Sequence, residues 1–321
     1  MLLSATLFIV GLLVVVRGAD WLTDGASAVA RRLGVSSLTV GLTVVAFGTS
    51  APELVVSVVS AVKGQTEMAI GNVMGSNIFN SLAIMGATAL ITPVACTPNN
   101  IRYEVPLSVV ASVVLAAMIS KDCLLPGDGI TLLCFFAVFL AYTFATARKG
   151  QTAASAPTPA PAAPDSAMPL RRAILLTALG LAGLILGGDS LVRGATGLAL
   201  MMGVSQSTVA LTIVAAGTSM PELVTSVVAA RKGDTDMAMG NVVGSNIFNI
   251  FLILGVSATV APLRLGTIGA VDTAFLLGSS ALLWVFCRFG RRHHYVTRPE
   301  GAVLVVAAAA YYTWLAIQGQ A

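Results

Sequence analysis

Apolar residues run along this chain in long blocks, as in Leu2–Val16, Val105–Ile119 and Ala302–Ala310. Blocks that reach or approach the ~20 residues needed to cross a bilayer predict membrane helices. The pattern predicts ten spans, at 2–19, 35–62, 68–92, 104–120, 128–147, 171–190, 204–231, 237–261, 266–287 and 301–318. Between the fifth and sixth lies 148–170, RKGQTAASAPTPAPAAPDSAMPL. Pro and Ala dominate it, so a disordered linker is expected there. No basic n-region or small-residue cleavage site precedes the first block, which is therefore expected as a membrane helix and not a cleaved signal.

Composition fixes the class. Hydrophobic residues make up 56% of the 321 and charged residues 10%, with mean hydropathy +0.90. A soluble domain carries roughly 25% charge. A soluble enzyme and a disordered chain are both excluded, and a polytopic membrane protein remains. The net charge of +4 reflects orienting charges in such a protein. No basic groove with interleaved aromatics predicts a nucleic-acid partner; the bilayer is the expected surrounding. The cysteines Cys96, Cys123, Cys134 and Cys287 have no metal-site spacing and read as apolar fillers.

Basic residues give a direction. Arg17, Arg31, Arg32, Arg102, Arg148, Lys149, Arg171, Arg172, Arg231, Lys232, Arg288, Arg291, Arg292 and Arg298 fall on the side of the odd-numbered loops. Only Lys63, Lys121, Arg193 and Arg264 fall on the other. The positive-inside rule makes the odd loops and the linker cytoplasmic and places both termini outside.

Residues 20–80 align with 189–249 at one offset, 169, without a gap, and about 39 of the 61 pairs are identical. The duplicated unit holds five predicted spans. An odd number turns the second copy upside down. The expected fold is therefore an all-α polytopic membrane protein with ten transmembrane helices as two inverted five-helix repeats, 1–147 and 171–321, joined by the linker 148–170. Inverted repeats mark secondary transporters, with the substrate site at the repeat interface near the midplane.

Glu53 and Glu222 sit in mid-span at equivalent positions. A charge there costs about 2.5–3.5 kcal/mol on insertion scales, so its duplication points to function. Both follow a helix-breaking stretch, Ala46-Phe47-Gly48-Thr49-Ser50-Ala51-Pro52 and Ala215-Ala216-Gly217-Thr218-Ser219-Met220-Pro221. Pro52 and Pro221 each deprive the carbonyl four residues back, that of Gly48 or Gly217, of its donor. The carbonyls of Ala46 and Ala215 are further candidates, one turn before Ser50 and Ser219. A second element reads Gly71-Asn72-Val73-Met74-Gly75-Ser76-Asn77-Ile78-Phe79-Asn80 and recurs as Gly240-Asn241-Val242-Val243-Gly244-Ser245-Asn246-Ile247-Phe248-Asn249. Its GxxxG pairs permit close helix contact, and Asn72 and Asn241 stand among those packing positions. Ser76 with Asn80, and Ser245 with Asn249, share helix faces that can meet the Glu-bearing spans.

Carboxylates, hydroxyls, amides and freed carbonyls supply only oxygen. Such a set suits hard cations and disfavours zinc or copper. Calcium takes roughly 6–8 oxygens in flexible geometry, whereas magnesium keeps its waters. Two carboxylates balance one Ca²⁺ or two Na⁺. Asp20 and Asp189 are expected at helix ends, so the Gly-Asp pairs at 127–128 and 188–189 do not make an acid dyad, and no enzymatic role is expected.

The duplicated GTSxPE and GNxxGSN motifs resemble the cation/calcium exchanger superfamily, and most closely its prokaryotic sodium/calcium exchangers with two alpha-repeats. The resemblance implies that Glu53 and Glu222 are central ligands shared by calcium and sodium, and that Thr49 and Thr218 complete the calcium site. It implies flanking sodium sites from Ser50, Ser76, Ser219, Ser245, Thr218 and the carbonyls of Ala46 and Ala215, with Asn80 and Asn249 bordering the centre. Potassium-dependent members carry Asp where Asn249 stands, so potassium independence is expected. The implied activity is electrogenic sodium/calcium antiport by alternating access in a bacterial inner membrane, with no prosthetic group and Ca²⁺ and Na⁺ as the transported ions. The first and sixth spans would move against a bundle of the second, third, seventh and eighth. Gly11, Gly18, Gly183, Gly187 and Gly188 in those two spans serve either sliding or packing. The residues leave open a proton-coupled cation antiporter on the same scaffold. Oligomeric state is not legible in the sequence.

Overall fold

The computed structural model describes residues 1–154, 168–202 and 215–318. Its helices are α1 Leu2–Leu33, α2 Ser37–Thr49, α3 Ala51–Val62, α4 Thr66–Ile91, α5 Asn100–Ile119, α6 Pro126–Ala154, α7 Leu170–Met201, α8 Ala215–Thr218, α9 Met220–Arg231, α10 Thr235–Val260, α11 Ala270–Phe289 and α12 Arg298–Gln318. Among the described residues eight helices are long and apolar enough to cross a membrane, and α2 with α3 forms a ninth candidate bent by 47°. The expected span 204–231 begins outside the described residues; α8 and α9 are its described part.

Three expectations are corrected. The span placed at 2–19 continues to Leu33, and the one at 171–190 runs from Leu170 to Met201. Hydropathy ends the first where Asp20 and Asp24 begin, but Lys232 compensates those acids, so the helix runs on to Gly34. Gly34 stops it at φ 64°, its N–H meeting the carbonyls of Ala30 and Arg31. Asp20, Asp189 and Arg17 therefore lie inside helices and not at their ends. Asp128 is a helix-start cap, accepting from the Leu125 N–H at 2.9 Å. The third correction is to the linker. Its first residues continue α6 to Ala154, because Gly150 costs a helix only about 1 kcal/mol and the first proline comes at Pro157. The part at 155–167 lies outside the described residues.

Helices α4 and α10 form the centre. Of their apolar windows 67% and 83% is buried, against 22% in α1 and in α6. The outer helices present Leu13, Val138, Leu186 and Val306 outward, as lipid-facing surfaces do. Each half lends its last helix to the other half's central one. Helix α12 crosses α4 where Gly86 meets Gly301, and α6 crosses α10 where Gly129 meets Gly255.

Helices α1 and α7 pack antiparallel, backbone to backbone. A Cβ on Gly11 would stand 2.5 Å from Leu191 N, one on Gly18 2.9 Å from Leu184 N, and one on Gly25 2.6 Å from Thr177 N. Gly180, Gly187 and Gly194 answer against Leu22, Val15 and Phe8. Both triplets repeat every seventh residue and let the two backbones touch; Gly183 also faces Gly18, whereas Gly188 faces Pro221.

Two short antiparallel pairings tie loops together. Val94–Ala95 (β1) pairs with Tyr295–Val296 (β4), and Cys123–Leu124 (β2) with Leu263–Arg264 (β3).

Candidate ion-binding site

Both glutamates stand at the third position of a helix that begins just after a break. Ser50, at φ −83° and ψ 6°, ends α2, and α3 starts with Ala51, Pro52 and Glu53. Ser219, at φ −91° and ψ 7°, divides α8 from α9, which starts with Met220, Pro221 and Glu222. Proline suits the first turn, where its missing N–H has no partner to lose. Each carboxylate thus lies at the positive end of its helix dipole. Gly64 and Gly233, at φ 76° and 84°, turn the chain from these helices into α4 and α10.

The two copies hold each other's carboxylates. Ser50 Oγ donates to Glu222 Oε1 at 2.9 Å, and Ser219 Oγ donates to Glu53 Oε1 at 3.0 Å. Ser219 also lies 3.2 Å from Ser76 Oγ, and Ser245 Oγ stands 3.5 Å from Glu222 Oε1. Thr49 Oγ1 contacts the Ala46 carbonyl at 3.4 Å and Asn241 Oδ1 at 3.1 Å. That carbonyl also takes the Ser50 N–H at 3.0 Å. Thr218 faces Glu53. Ala215 begins α8.

The asparagines clamp the helices. Asn72 Nδ2 donates to Ser57 Oγ at 2.9 Å and to the Glu53 carbonyl at 3.4 Å. Asn241 Nδ2 donates to Ser226 Oγ at 2.9 Å and to the Glu222 carbonyl at 3.2 Å. Each clamp fixes its half-helix against the neighbouring central helix. Ser57 and Ser226 escaped the sequence reading. Their signal was there: both recur at the same offset, one turn after Glu on the same face. Asn77 and Asn246 escaped it too. Asn77 Nδ2 donates to the Asn246 carbonyl at 3.2 Å, and Asn246 Nδ2 to Ser81 Oγ at 2.8 Å.

The site is buried and incompletely paired. Glu53, Glu222, Asn80 and Asn249 are each 1% exposed. Glu53 Oε2, Glu222 Oε2, Asn249 Oδ1 and both amide atoms of Asn80 have no hydrogen-bond partner among the described residues. Asn249 is tethered through its Nδ2, which donates to Asn77 Oδ1 at 3.0 Å. Burying polar oxygens without partners costs free energy that a bound cation offsets. Asn80 opens a π-helical turn at Asn80–Ile84, and Asn249 lies in another at Phe248–Leu254. Such turns frequently mark functional positions in helices.

The structure thus brings Glu53, Glu222, Ser50, Ser219, Ser76 and Ser245 into one cross-braced cluster. Asn72 and Asn241 stand behind it as clamps. Pro52 and Pro221 begin the half-helices, and the unpartnered oxygens are of the hard type. Among the described residues no cluster of His, Cys, Asp and Glu suits a transition metal.

This arrangement has relatives. A chain named putative antiporter CaxA, from Alkalimonas amylolytica, is 36% identical over 319 residues, covering 97% of this chain and 98% of its own. Inner membrane protein YrbG of Escherichia coli is 35% identical over 322 residues, covering 99% and 97%. A solved structure of the sodium-calcium exchanger NCX_Mj, soaked with zero Na⁺ and Ca²⁺, superposes with TM-score 0.84 at 29% identity, covering 98% of this chain and 99% of that one. The family described as sodium/calcium exchanger protein matches residues 3–145 and 172–317, the two segments that carry the paired glutamates. A multi-pass membrane chain with that duplicated, all-oxygen site belongs to the sodium/calcium exchanger protein family.

Proposed function

We propose that the chain exchanges several Na⁺ for one Ca²⁺ across a bacterial inner membrane, electrogenically, without potassium, by alternating access. One observation carries the reading. Two buried carboxylates, each braced by a serine of the opposite repeat copy, keep one oxygen apiece free in an all-oxygen setting. Glu53, Glu222, Thr49 and Thr218 bind calcium. Sodium occupies positions built from the same glutamates with Ser50, Ser76, Ser219, Ser245, Thr218 and the Ala46 and Ala215 carbonyls. Asn80 and Asn249 border the centre. Asn249 adds no third carboxylate, which is the basis for potassium independence.

The architecture proposed is ten spans in two inverted halves, 1–147 and 171–321, around the linker 148–170, with both termini outside. Two features support it. Helices α1 and α7 are equivalent by repeat and run antiparallel. The strand pairings add a parity argument. Residues 123–124 and 263–264 pair, so an even number of crossings separates them. Helices α6, α7 and α10 account for three, and a crossing that includes α8 and α9 makes the fourth.

The test is ⁴⁵Ca²⁺ uptake into sodium-loaded proteoliposomes diluted into sodium-free buffer, with potassium present or absent. Uptake that needs internal sodium, ignores potassium and responds to membrane potential supports the proposal. Uptake that ignores sodium and follows a pH gradient instead assigns proton coupling to the same carboxylates.

A further inference from the structure

The repeat supplies two equivalent junctions between a long helix and the turn leading into a central helix. At one, α1 meets the turn after α9. Lys232 Nζ lies 3.1 Å from Asp20 Oδ1 and 2.9 Å from Asp24 Oδ1, and also donates to the Asp20 carbonyl at 3.1 Å. Ser27 Oγ donates to Asp234 Oδ2 at 2.8 Å, while Asp234 Oδ1 caps α10 through the Met237 N–H. The equivalent junction joins α7 to the turn after α3. There the offset of 169 puts Arg193 where Asp24 stands, Thr196 for Ser27 and Gln65 for Asp234. Lys63 matches Lys232 but makes no ion pair among the described residues, and Asp189 pairs within its own helix to Arg193 at 2.9 Å. Two acids have been exchanged for a base and an amide, and the cross-link is gone.

We propose that Asp20, Asp24, Ser27, Lys232 and Asp234 form an ionic latch that holds α1 to the α9–α10 turn and closes one end of the protein, and that the other end has no counterpart. The inference rests on the alternating-access reading, in which α1 must move past that turn. It explains why a duplicated sequence departs from symmetry at these positions. The latch is also breakable. Lys232 and Asp24 are partly exposed, and a cavity of about 350 Å³ bordered by Asp24, Arg31, Lys232 and Asp234 brings solvent to it. Salt therefore weakens it. On the orientation proposed above the latched end is cytoplasmic.

Hydrogen exchange on the purified full-length protein tests it without transport, so failure of the latch and failure of the exchange activity are separable. Asp24→Asn, Lys232→Gln and Ser27→Ala should each speed exchange in 20–33 and 229–236 by roughly two- to fivefold. Lys232→Arg, which keeps the positive charge between Asp20 and Asp24, should leave exchange slow. Raising salt should speed wild-type exchange there and leave Lys232→Gln unmoved. Arg193→Ala should leave both segments unchanged. Unchanged exchange in the single variants, an increase spread over the whole chain, or exchange in Lys232→Arg as fast as in Lys232→Gln overturns the proposal.

Discussion

Ser50 donates its hydroxyl hydrogen to the Glu222 carboxylate across 2.9 Å, from one copy of the repeat to the other. Ser219 returns the same bond to Glu53. Each carboxylate takes its shorter hydroxyl bond from the facing half, while Ser245 reaches Glu222 from its own half only at 3.5 Å. The breaks at Ser50 and Ser219 make this possible, because they turn each serine away from its own helix axis toward the facing half. The site is thus a property of the interface between halves.

Replacing either carboxylate by its amide removes one of the two charges that balance a divalent ion. Glu53→Gln and Glu222→Gln should each lower ⁴⁵Ca²⁺ uptake at least about tenfold, since calcium affinity follows ligand charge. Unimpaired uptake in either variant, with the protein correctly inserted, removes that glutamate from the site.

The serine cross-brace predicts a matched pair of effects. A hydrogen bond to a charged group contributes about 1.5–3 kcal/mol. Ser50→Ala and Ser219→Ala should therefore raise the sodium concentration that half-saturates exchange, and by similar factors. A large effect from one serine and none from the other contradicts the reciprocity.

The asparagine clamps act on stability. Ser57→Ala and Ser226→Ala each leave an amide N–H, half-buried on Asn72 and buried on Asn241, short of its acceptor, at about 0.5–1.5 kcal/mol apiece. Thermal unfolding in detergent should show both midpoints lowered. Since Asn72 and Asn241 also hold the Glu53 and Glu222 carbonyls, maximal uptake should fall more than apparent affinity.

Glycine spacing gives the sharpest structural contrast. A methyl on Gly18 meets the Gly180 carbonyl at 2.9 Å, whereas one on Gly278 has open space among the described residues. Gly18→Ala should separate α1 from α7 at about 1–3 kcal/mol. Gly278→Ala should be neutral or stabilising, since alanine is the better helix former. Equal melting temperatures for the two variants contradict the close packing.

The chemistry of the site was more legible than its scaffold. Glu53, Pro52 and their copies announce themselves because a mid-membrane charge and a proline are costly and were kept twice. The far ends of α1 and α7 were not legible. Their polar residues mimic a helix end, and only Lys232, some two hundred residues away in sequence from Asp20 and Asp24, makes them interior. The clamp serines hid because serine is common in membrane helices, and only comparison of the two copies separates Ser57 from its neighbours. The π-helical turns at Asn80 and Asn249 have no sequence signature: Gly41–Val45 and Asn100–Glu104 form the same kind of turn from unrelated residues.

The pairing of Val94–Ala95 with Tyr295–Val296 has a consequence for biosynthesis. The ribosome makes the first strand long before its partner exists. The loop after α4 must wait, already inserted, without its strand partner until about two hundred further residues have emerged. The first half therefore enters the membrane as an unfinished object. Completion comes from the last hairpin, so truncations near the C-terminus should behave as assembly defects felt at the centre of the first half.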